Sequence, residues 1–481
     1  MIALATNRLI FIIKAMKNWF LKRNALLTIL ICLNISILFL YAYIHIVNVD
    51  EREHLYASYM IHNGYIPYRD FFEHHHPLLW YIFAPLLYFC DNTPYIWYII
   101  RTFGLIIIFG CTYYVYKLMY IISNNKQSSL IAALFYLSFD ITRISGTEFR
   151  PDNLMILFFL AGLYTYLKYI KTQQWPFLAS SYALLFLSFF TLQKNFFMLI
   201  TLAAIIIYTA IKNRNLRRQI LLTLALPITL TASYILYLYY HNSLKDYFEL
   251  NWLIYLYRHL DYTFIATKKY IVPLIGAICI FIPNIKKLPY INIIKILYII
   301  EIINLLFTAS SEQYFLTLYP FLAIILATTL YQFKQQYQII VIPIFILTTA
   351  VSFYNISHYQ KIRLQRAVVY SNLVLSNTKK DDLIVHDLLW IGGLRQSAHG
   401  YYWFGLEGIA RLDYKIFHRR AFPDINSILK QHHPKLVAHI NIYNCLNKQN
   451  HITLNCTQEQ TIDLNNLVGY MQSELLYLRQ Y

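Results

Sequence analysis

The sequence predicts an all-α polytopic membrane protein of about eleven transmembrane helices, followed by a small C-terminal extracytoplasmic α/β domain. Three observations predict it. The chain has 481 residues, 58% hydrophobic and only 13% charged, with mean hydropathy +0.43, too apolar for a soluble domain and long enough for many spans. Apolar runs of spanning length follow one another with short polar breaks. Lysine and arginine segregate from aspartate and glutamate in alternate breaks, the pattern of cytoplasmic and external loops. A formal charge of +18 would suggest a nucleic-acid partner in a soluble protein, but no basic stripe interleaved with aromatics lies on a polar background. The charge instead marks cytoplasmic loops and anionic headgroups, and 45 Tyr with 32 Phe suit interfacial belts and apolar packing.

The chain opens with Arg8, Lys14, Lys17, Lys22 and Arg23, then an apolar run from Asn24 to Val47. It is long for a secretory leader, and Tyr41, Tyr43 and His45 make a poor cleavage site, so it reads as an anchor with a cytoplasmic N-terminus. The first outer loop is then about 48–94. Within it the run from His76 to Cys90, cut by Pro85, is too short to cross and reads as interfacial or re-entrant. Further spans are expected at 95–121, 129–142, 153–170, 177–192, 196–211, 220–240, 270–285, 293–309, 315–332 and 338–355.

Charge fixes this register. The inner loops hold Lys126; Lys168 and Lys171; Lys212, Arg214, Arg217 and Arg218; Lys286, Lys287 and Lys295; and Lys334, without a carboxylate among them. Before position 356 every acid except Glu301 lies outside or near an outer span end. Counting 76–90 as a span would turn the KNRNLRR loop outward and break the bias. Residues 1–355 therefore form the membrane domain and 356–481 the external one. The tail has strand-like runs at Asp382–His386 and Lys435–Ile440 and a helix-like stretch between Ile425 and His433. Cys32, Cys90, Cys111 and Cys279 sit in apolar runs as inert thiols, while Cys445 and Cys456 could pair outside.

Four external sites carry candidate chemistry. The first loop gathers Asp50, Glu51, Glu53, Asp70 and Glu73 with His54, His62, His74, His75 and His76. Asp50 and Glu51 follow a span, where a carboxylate either marks the water boundary or reacts; five acids in one loop favour chemistry. In SGTEFRPD, Pro151 and Asp152 either start a helix or face a ligand, and Arg150 can bind a phosphate. Lys194 in TLQKNFF snorkels to headgroups or holds an anion. Gln313 and Tyr314, in SSEQYFLTLYP, stand at an outer span end, where tyrosine is also common as belt. Metal binding through His74–His76 is not favoured: adjacent residues point in different directions, and no ligand spacing such as HExxH is present.

Asp-Glu after the first span, GYIPYRDFFEHHHPLLWY in the first loop, FRPD before a span, QKN between spans and EQYFLTLYP late in the membrane region resemble the GT-C glycosyltransferases. Within these the resemblance is to the bacterial branch of protein mannosyltransferases, lipid A aminoarabinose transferase and rhizobial lipopolysaccharide sugar transferases. It covers most of 24–355; HGYYWFG at 399–405 also resembles the branch, less specifically. The resemblance implies a polyprenyl-phosphate sugar donor, inversion at the anomeric carbon, and an envelope acceptor: lipid A, lipopolysaccharide core, another glycan or a protein hydroxyl. It implies the bacterial inner membrane, with the C-terminus periplasmic. Asp50 stands at the family's catalytic carboxylate, Glu51 completes the pair, and Asp152 matches an acidic position in the second outer loop. Where metal-free members carry a basic residue, this chain has the EHHHP histidines.

The residue types fit such chemistry. A sugar on a lipid phosphate already has a leaving group, so a base for the acceptor hydroxyl and cations for the departing phosphate suffice. Asp50 or Glu51 supplies the base, with Asp152 beside them as a catalytic candidate. Arg150, Lys194, His75 or His76, with Glu73, Gln313 and Tyr314, are the substrate-binding candidates. No cofactor is expected, nor a nucleotide, since neither GxGxxG nor GxxxxGK[ST] occurs. A lipid-linked saccharide flippase would carry ionisable residues along a path through its spans, where only Glu301 stands out. An O-antigen polymerase or ligase would carry its acids in a late outer loop rather than the first.

Overall fold

The computed structural model describes residues 23–254, 271–280, 288–308, 312–332, 337–358, 364–386, 394–398, 400–403, 408–417, 431 and 436–438. These are almost wholly helical. In order they are α1 (Arg23–Ile44), α2 (Val49–His62), α3 (Leu78–Cys90), α4 (Ile96–Ser123), α5 (Lys126–Ser138), α6 (Asp140–Ile144), α7 (Pro151–Thr172), α8 (Trp175–Thr191) and α9 (Phe196–Lys212). There follow α10 (Arg214–Thr223), α11 (Ala225–Tyr240), α12 (Leu244–Phe248), α13 (Ile271–Ile280), α14 (Ile291–Thr308), α15 (Tyr319–Gln332), α16 (Tyr337–His358) and α17 (Leu364–Asn377). Strand β1 (Ile384–His386), helix α18 (Gly408–Phe417) and strand β2 (Leu436–Ala438) complete the α-helices and strands among the described residues.

Among the described residues four helical stretches are long and apolar enough to cross a membrane: Ile96–Ser123, Pro151–Thr172, Gln193–Lys212 and Leu216–Tyr240. At 28 residues the first is about 42 Å long, beyond the hydrocarbon thickness. The chain is a multi-pass membrane protein. Helix α3, with 13 residues and Pro85 inside it, reaches only about 20 Å, in keeping with a non-crossing element of the first loop. Two expected spans are shorter than read from sequence. Around 129–142 the helix stops at Ser138, and Phe139 is extended before the short α6. Residues 312–317 form a 3-10 turn, so α15 begins only at Tyr319.

The first loop begins as a helix, which the sequence reading did not anticipate. After α1 ends, Asn48 is extended and caps α2: its side chain accepts from the Asp50 N–H at 3.4 Å, and Glu51 Oε2 accepts the Asn48 N–H at 3.0 Å. This reciprocal cap satisfies two otherwise orphaned donors, and two acids in the first turn suit the positive end of the helix. The chain turns by 71° there, so α2 departs from the direction of α1. Helix α2 packs on α3, and its residues from Glu51 to Met60 are buried except Arg52.

Small residues set the spacing of α4, α7 and α8. A Cβ on Gly104 of α4 would strike the Thr147 carbonyl oxygen, so the bare glycine lets the SGTEFRPD turn lie directly on α4. Gly162 of α7 has the Leu185 side chain 2.8 Å from where its Cβ would be, and Ser181 donates to the Gly162 carbonyl at 2.8 Å. Ser188 likewise donates to the Met155 carbonyl at 2.8 Å. Side-chain hydroxyls thus glue α8 to α7 where an apolar interior offers no water.

At the other end β1 pairs with β2 in parallel, Ile384 opposite Leu436, matching the two strand-like runs. The expected helix between Ile425 and His433, and Cys445 and Cys456, lie outside the described residues. The sequence reading did not single out α17; it packs on α4, where Trp97 Nε1 donates to Ser371 Oγ at 2.7 Å. Residues 396–398 and 400–403 lie across the first loop. Ser397 N donates to the Tyr56 hydroxyl at 2.7 Å, Phe72 N to the Tyr401 carbonyl at 2.9 Å, and Trp403 Nε1 to the Phe72 carbonyl at 3.0 Å. Trp403 is fully buried, its ring 4.4 Å from that of Tyr56.

Candidate active site

Asp50, in the first turn of α2, meets the start of α7. Pro151 opens α7 with its ring-fixed φ, Asp152 sits in its first turn, and Asn153 Nδ2 holds the preceding loop through the Ser145 and Glu148 carbonyls at 2.8 Å each. This leaves Arg150, just outside the helix, aimed at α2. Its Nη1 lies 2.6 Å from Asp50 Oδ2 and 3.4 Å from Glu148, and its Nε lies 3.6 Å from Asp152.

The QKN turn enters from the far side. Lys194 Nζ stands 3.7 Å from Asp152 and 3.9 Å over the Tyr314 ring, a charge pair and a cation–π contact on one ammonium. Gln193 Nε2 donates to the His74 carbonyl at 2.8 Å, and Asn195 Nδ2 to Ser188 Oγ at 2.6 Å. From the 3-10 turn before α15, Gln313 Nε2 donates to Asp50 Oδ2 at 3.2 Å. Asp50, Asp152, Arg150, Lys194, Gln313 and Tyr314 thus converge from four separate stretches of sequence.

Exposure gives the cluster a direction. The Arg150 and Asp152 side chains are 3% and 4% exposed, whereas Asp50 and Lys194 are 31% and 29% exposed. The inner ion pair is walled in; an anion and a hydroxyl arriving together would meet Asp50 and Lys194 first. Burial pushes the Asp50 carboxyl up, but Arg150, His54 and Lys194 outweigh it and hold the group below its usual value, ionised at neutral pH. Burial would lower Arg150, and Asp50, Asp152 and Glu148 more than reverse that. Glu148 is different: burial, with Glu51 nearby, raises it to about 7 against the pull of Arg150.

Glu51 does not face this cluster. Its Oε2 takes Arg101 Nη2 at 2.5 Å and the Asn48 N–H, its Oε1 takes the Phe149 N–H at 2.9 Å, and both it and Arg101 have no exposure. With three donors on two buried oxygens, Glu51 is a lock between α2, α4 and the 145–150 turn rather than half of a reactive pair. The cause is helix geometry: successive residues are rotated by about 100°, so neighbouring carboxylates point apart.

The histidine segment divides. His76 is turned away: its ring spans the Phe189 carbonyl at 2.6 Å and the Tyr247 hydroxyl at 2.9 Å, and burial lowers its pKa to about 4. It acts as a neutral bridge to α8 and α12, not as a phosphate ligand. His75, lowered well below its usual value by burial and by its neighbours His74 and His54, brings no positive charge either. Its Nδ1 lies 2.8 Å from Glu73 Oε1. Glu53, Glu73, His74 and His75 face one another, their ligand atoms within 4.8 Å. The sequence reading placed adjacent histidines apart; a non-helical backbone at 73–76 lets two of them converge.

Arg101 escapes the sequence reading, and His54 appears there among the first-loop histidines without a role. Arg101 was counted as part of an apolar span; an arginine near the outer end of a span without an acid of its own is the signal that a partner comes from elsewhere. His54, one turn after Asp50, is buried with Nδ1 accepting from Trp80 Nε1 at 3.2 Å, and burial lowers its pKa to about 3. Spacing of four from Asp50 would have put it on the same face.

No family model and no curated protein matches the chain. Among solved structures it is similar to the crystal structure of ArnT from Cupriavidus metallidurans bound to undecaprenyl phosphate, at TM-score 0.62 and 10% identity, over 92% of this chain and 99% of that one. The likeness is one of fold over nearly the whole length of both chains. The chain therefore shares the fold of that structure.

Proposed function

We propose that this protein is a membrane glycosyltransferase that moves a sugar from a polyprenyl-phosphate donor to a hydroxyl of an envelope glycolipid, glycan or protein, with inversion, at the outer face of a bacterial inner membrane. The observation that carries the reading is the half-exposed Asp50 carboxylate held between Arg150 and Gln313, with Lys194 at the same mouth, on a fold shared with a protein bound to undecaprenyl phosphate. The acceptor oxygen attacks the anomeric carbon, the bond from that carbon to the phosphate oxygen breaks, and the acceptor proton passes to Asp50. The hydroxyl becomes acidic as its bond to carbon forms, so an ordinary carboxylate is base enough. Arg150 and Lys194 take up the charge that develops on the departing lipid phosphate. A single displacement on one face inverts the centre.

In the resting site Arg150 is spent on Asp50. A donor phosphate competes for that guanidinium, and its arrival releases the carboxylate for the acceptor, so donor binding readies the base. In this reading residues 1–355 form the catalytic membrane domain with about eleven spans, and 356–481 a periplasmic domain. Asp152, buried behind both cations, orients them and does not touch the sugar.

The experiment is transfer from purified polyprenyl-phosphate sugar in nanodiscs by Asp50→Asn. The variant keeps size and polarity but accepts no proton at neutral pH. Transfer is expected to fall by roughly 10²–10⁴-fold with donor affinity retained. Turnover near that of the wild type would reject Asp50 as the base. Mass spectrometry of envelope glycolipids and glycoproteins with and without the gene identifies the acceptor and sugar.

A further inference from the structure

The geometry points to a divalent transition-metal site, of the kind that takes Zn²⁺, formed by Glu53, Glu73, His74 and His75 beside the Asp50 cluster. Four distances carry it. His75 Nδ1 lies 2.8 Å from Glu73 Oε1 and 3.7 Å from Glu53 Oε1; His74 Nδ1 lies 3.5 Å and 3.8 Å from the same two oxygens. Zinc binds imidazole nitrogen and carboxylate oxygen at about 2.0–2.2 Å, so tetrahedral ligand atoms stand about 3.4 Å apart. The four separations bracket that value, and no ligand atom is more than 4.8 Å from another. An ordinary hydrogen-bonded pair accounts for the 2.8 Å contact alone; it gives no reason for a second imidazole and a second carboxylate to aim at the same point.

The donor set is apt. Two neutral imidazoles and two carboxylates leave a bound dication with no net charge, which suits a buried place better than two neighbouring anions do. Glu53, Glu73 and His74 side chains are 3%, 0% and 4% exposed, and that of His75 12%. The ligands come from two elements: Glu53 projects from α2, while the other three are consecutive in the strap that follows Phe72. That strap is held on both sides. The Phe72 carbonyl accepts from Trp403, the His74 carbonyl accepts from Gln193, and Glu73 Oε1 also accepts the His74 N–H at 2.8 Å. Backbone held in this way keeps ligands in place before an ion arrives.

The His75 ring packs edge-on to His54 at 5.0 Å, and His54 lies one turn from Asp50 on α2. The site therefore pins the strap to the helix that carries the candidate base, and it stands whether or not that base transfers a sugar.

The test is metal content, with no donor present. Full-length protein in nanodiscs is stripped with chelator, loaded with ZnCl₂, desalted and assayed for metal, with affinity read by competition against a chromophoric chelator; Co²⁺ loading reports coordination number through its visible bands. About one Zn²⁺ per chain is expected, with tetrahedral Co²⁺ bands. His74→Ala with His75→Ala should lower affinity at least 100-fold. Glu73→Gln, which keeps the shape of the strap, should lower it at least 10-fold, and His76→Gln, one residue outside the set, should leave it unchanged. Monodispersity and helical content qualify each variant as folded. A folded wild type that retains under a tenth of an equivalent, or Zn²⁺ binding unaltered in a folded His74/His75 or Glu73 variant, overturns the proposal.

Discussion

Replacing Glu51 with Gln separates two roles that adjacent acids in one loop invite one to merge. Glu51 and Arg101 are wholly buried, and the carboxylate also takes the Asn48 and Phe149 N–H groups. An amide of the same shape still accepts at one oxygen but presents an N–H group at the other, where it opposes a donor. Arg101 then keeps a buried positive charge with its direct carboxylate partner gone and the Ile46 carbonyl at 2.7 Å still accepting from it. Breaking a buried pair by changing one partner costs about 3–5 kcal/mol, and a displaced buried N–H adds about 1–3 kcal/mol where it finds no other acceptor. The assay is equilibrium unfolding in mixed micelles, run beside transfer. Glu51→Gln is expected to lose at least about 3 kcal/mol, and Asp50→Asn, changing a half-exposed group, under about 1 kcal/mol. If Glu51→Gln unfolds within about 1 kcal/mol of the wild type while transfer drops 100-fold or more, Glu51 reacts rather than locks, and the division of labour is wrong.

Other perturbations follow from the same geometry. Arg150→Ala and Lys194→Ala should each weaken use of a polyprenyl-phosphate donor by roughly 10–100-fold, the loss of one charge-assisted bond, and unchanged kinetics in both would take them out of the phosphate site. Because burial raises Glu148 above its unfolded value, its contribution to stability is full below about pH 4.5 and is lost as pH rises through about 7. Glu148→Gln should therefore flatten the fall in unfolding free energy between pH 5 and pH 7.5 (roughly the span between those two values), and an identical slope in both proteins would refute this assignment. Single cysteines at Asn63 and Asn213 test the topology: a membrane-impermeant maleimide in intact cells should label the first and not the second.

Charge in a polar loop of an oily chain stands out, which is why Asp50, Asp152, Arg150, Lys194, Gln313 and Tyr314 could be read from the sequence as one outer-face group. What the sequence concealed has three physical causes. Arg101 hides inside a span, and its purpose is visible only once Glu51 is seen to reach it across 50 positions. The Asp50–Glu51 pair looks like one site in a string of letters, but Asn48 and Glu51 are themselves the cap that makes α2 helical and turns the two carboxylates apart. Adjacent histidines such as His74 and His75 are expected to point in different directions, whereas their segment is irregular and lets both rings aim at Glu53 and Glu73. The histidine reading failed for His76 on the same ground, since its neighbour Pro77 begins the entry into α3 and carries the ring toward Tyr247.

The crossing of residues 396–398 and 400–403 over the first loop sets the order in which the protein can be finished during synthesis. Tyr68, held at φ 70° in a turn that a tyrosine rarely adopts, has its carbonyl secured by the Tyr401 hydroxyl at 3.0 Å, and the two lie 333 positions apart. Trp403 reaches Phe72 over 331 positions. When the ribosome has delivered the early helices to the membrane, the strap bearing Glu73 and His74 has emerged but its cover has not been translated. A late part of the chain completes an early one, so a nascent protein stalled before Tyr401 holds every candidate catalytic side chain and an unfastened strap. A truncation that removes residues from 396 onward is thereby expected to insert and to leave that strap open to external protease, which the full chain shields.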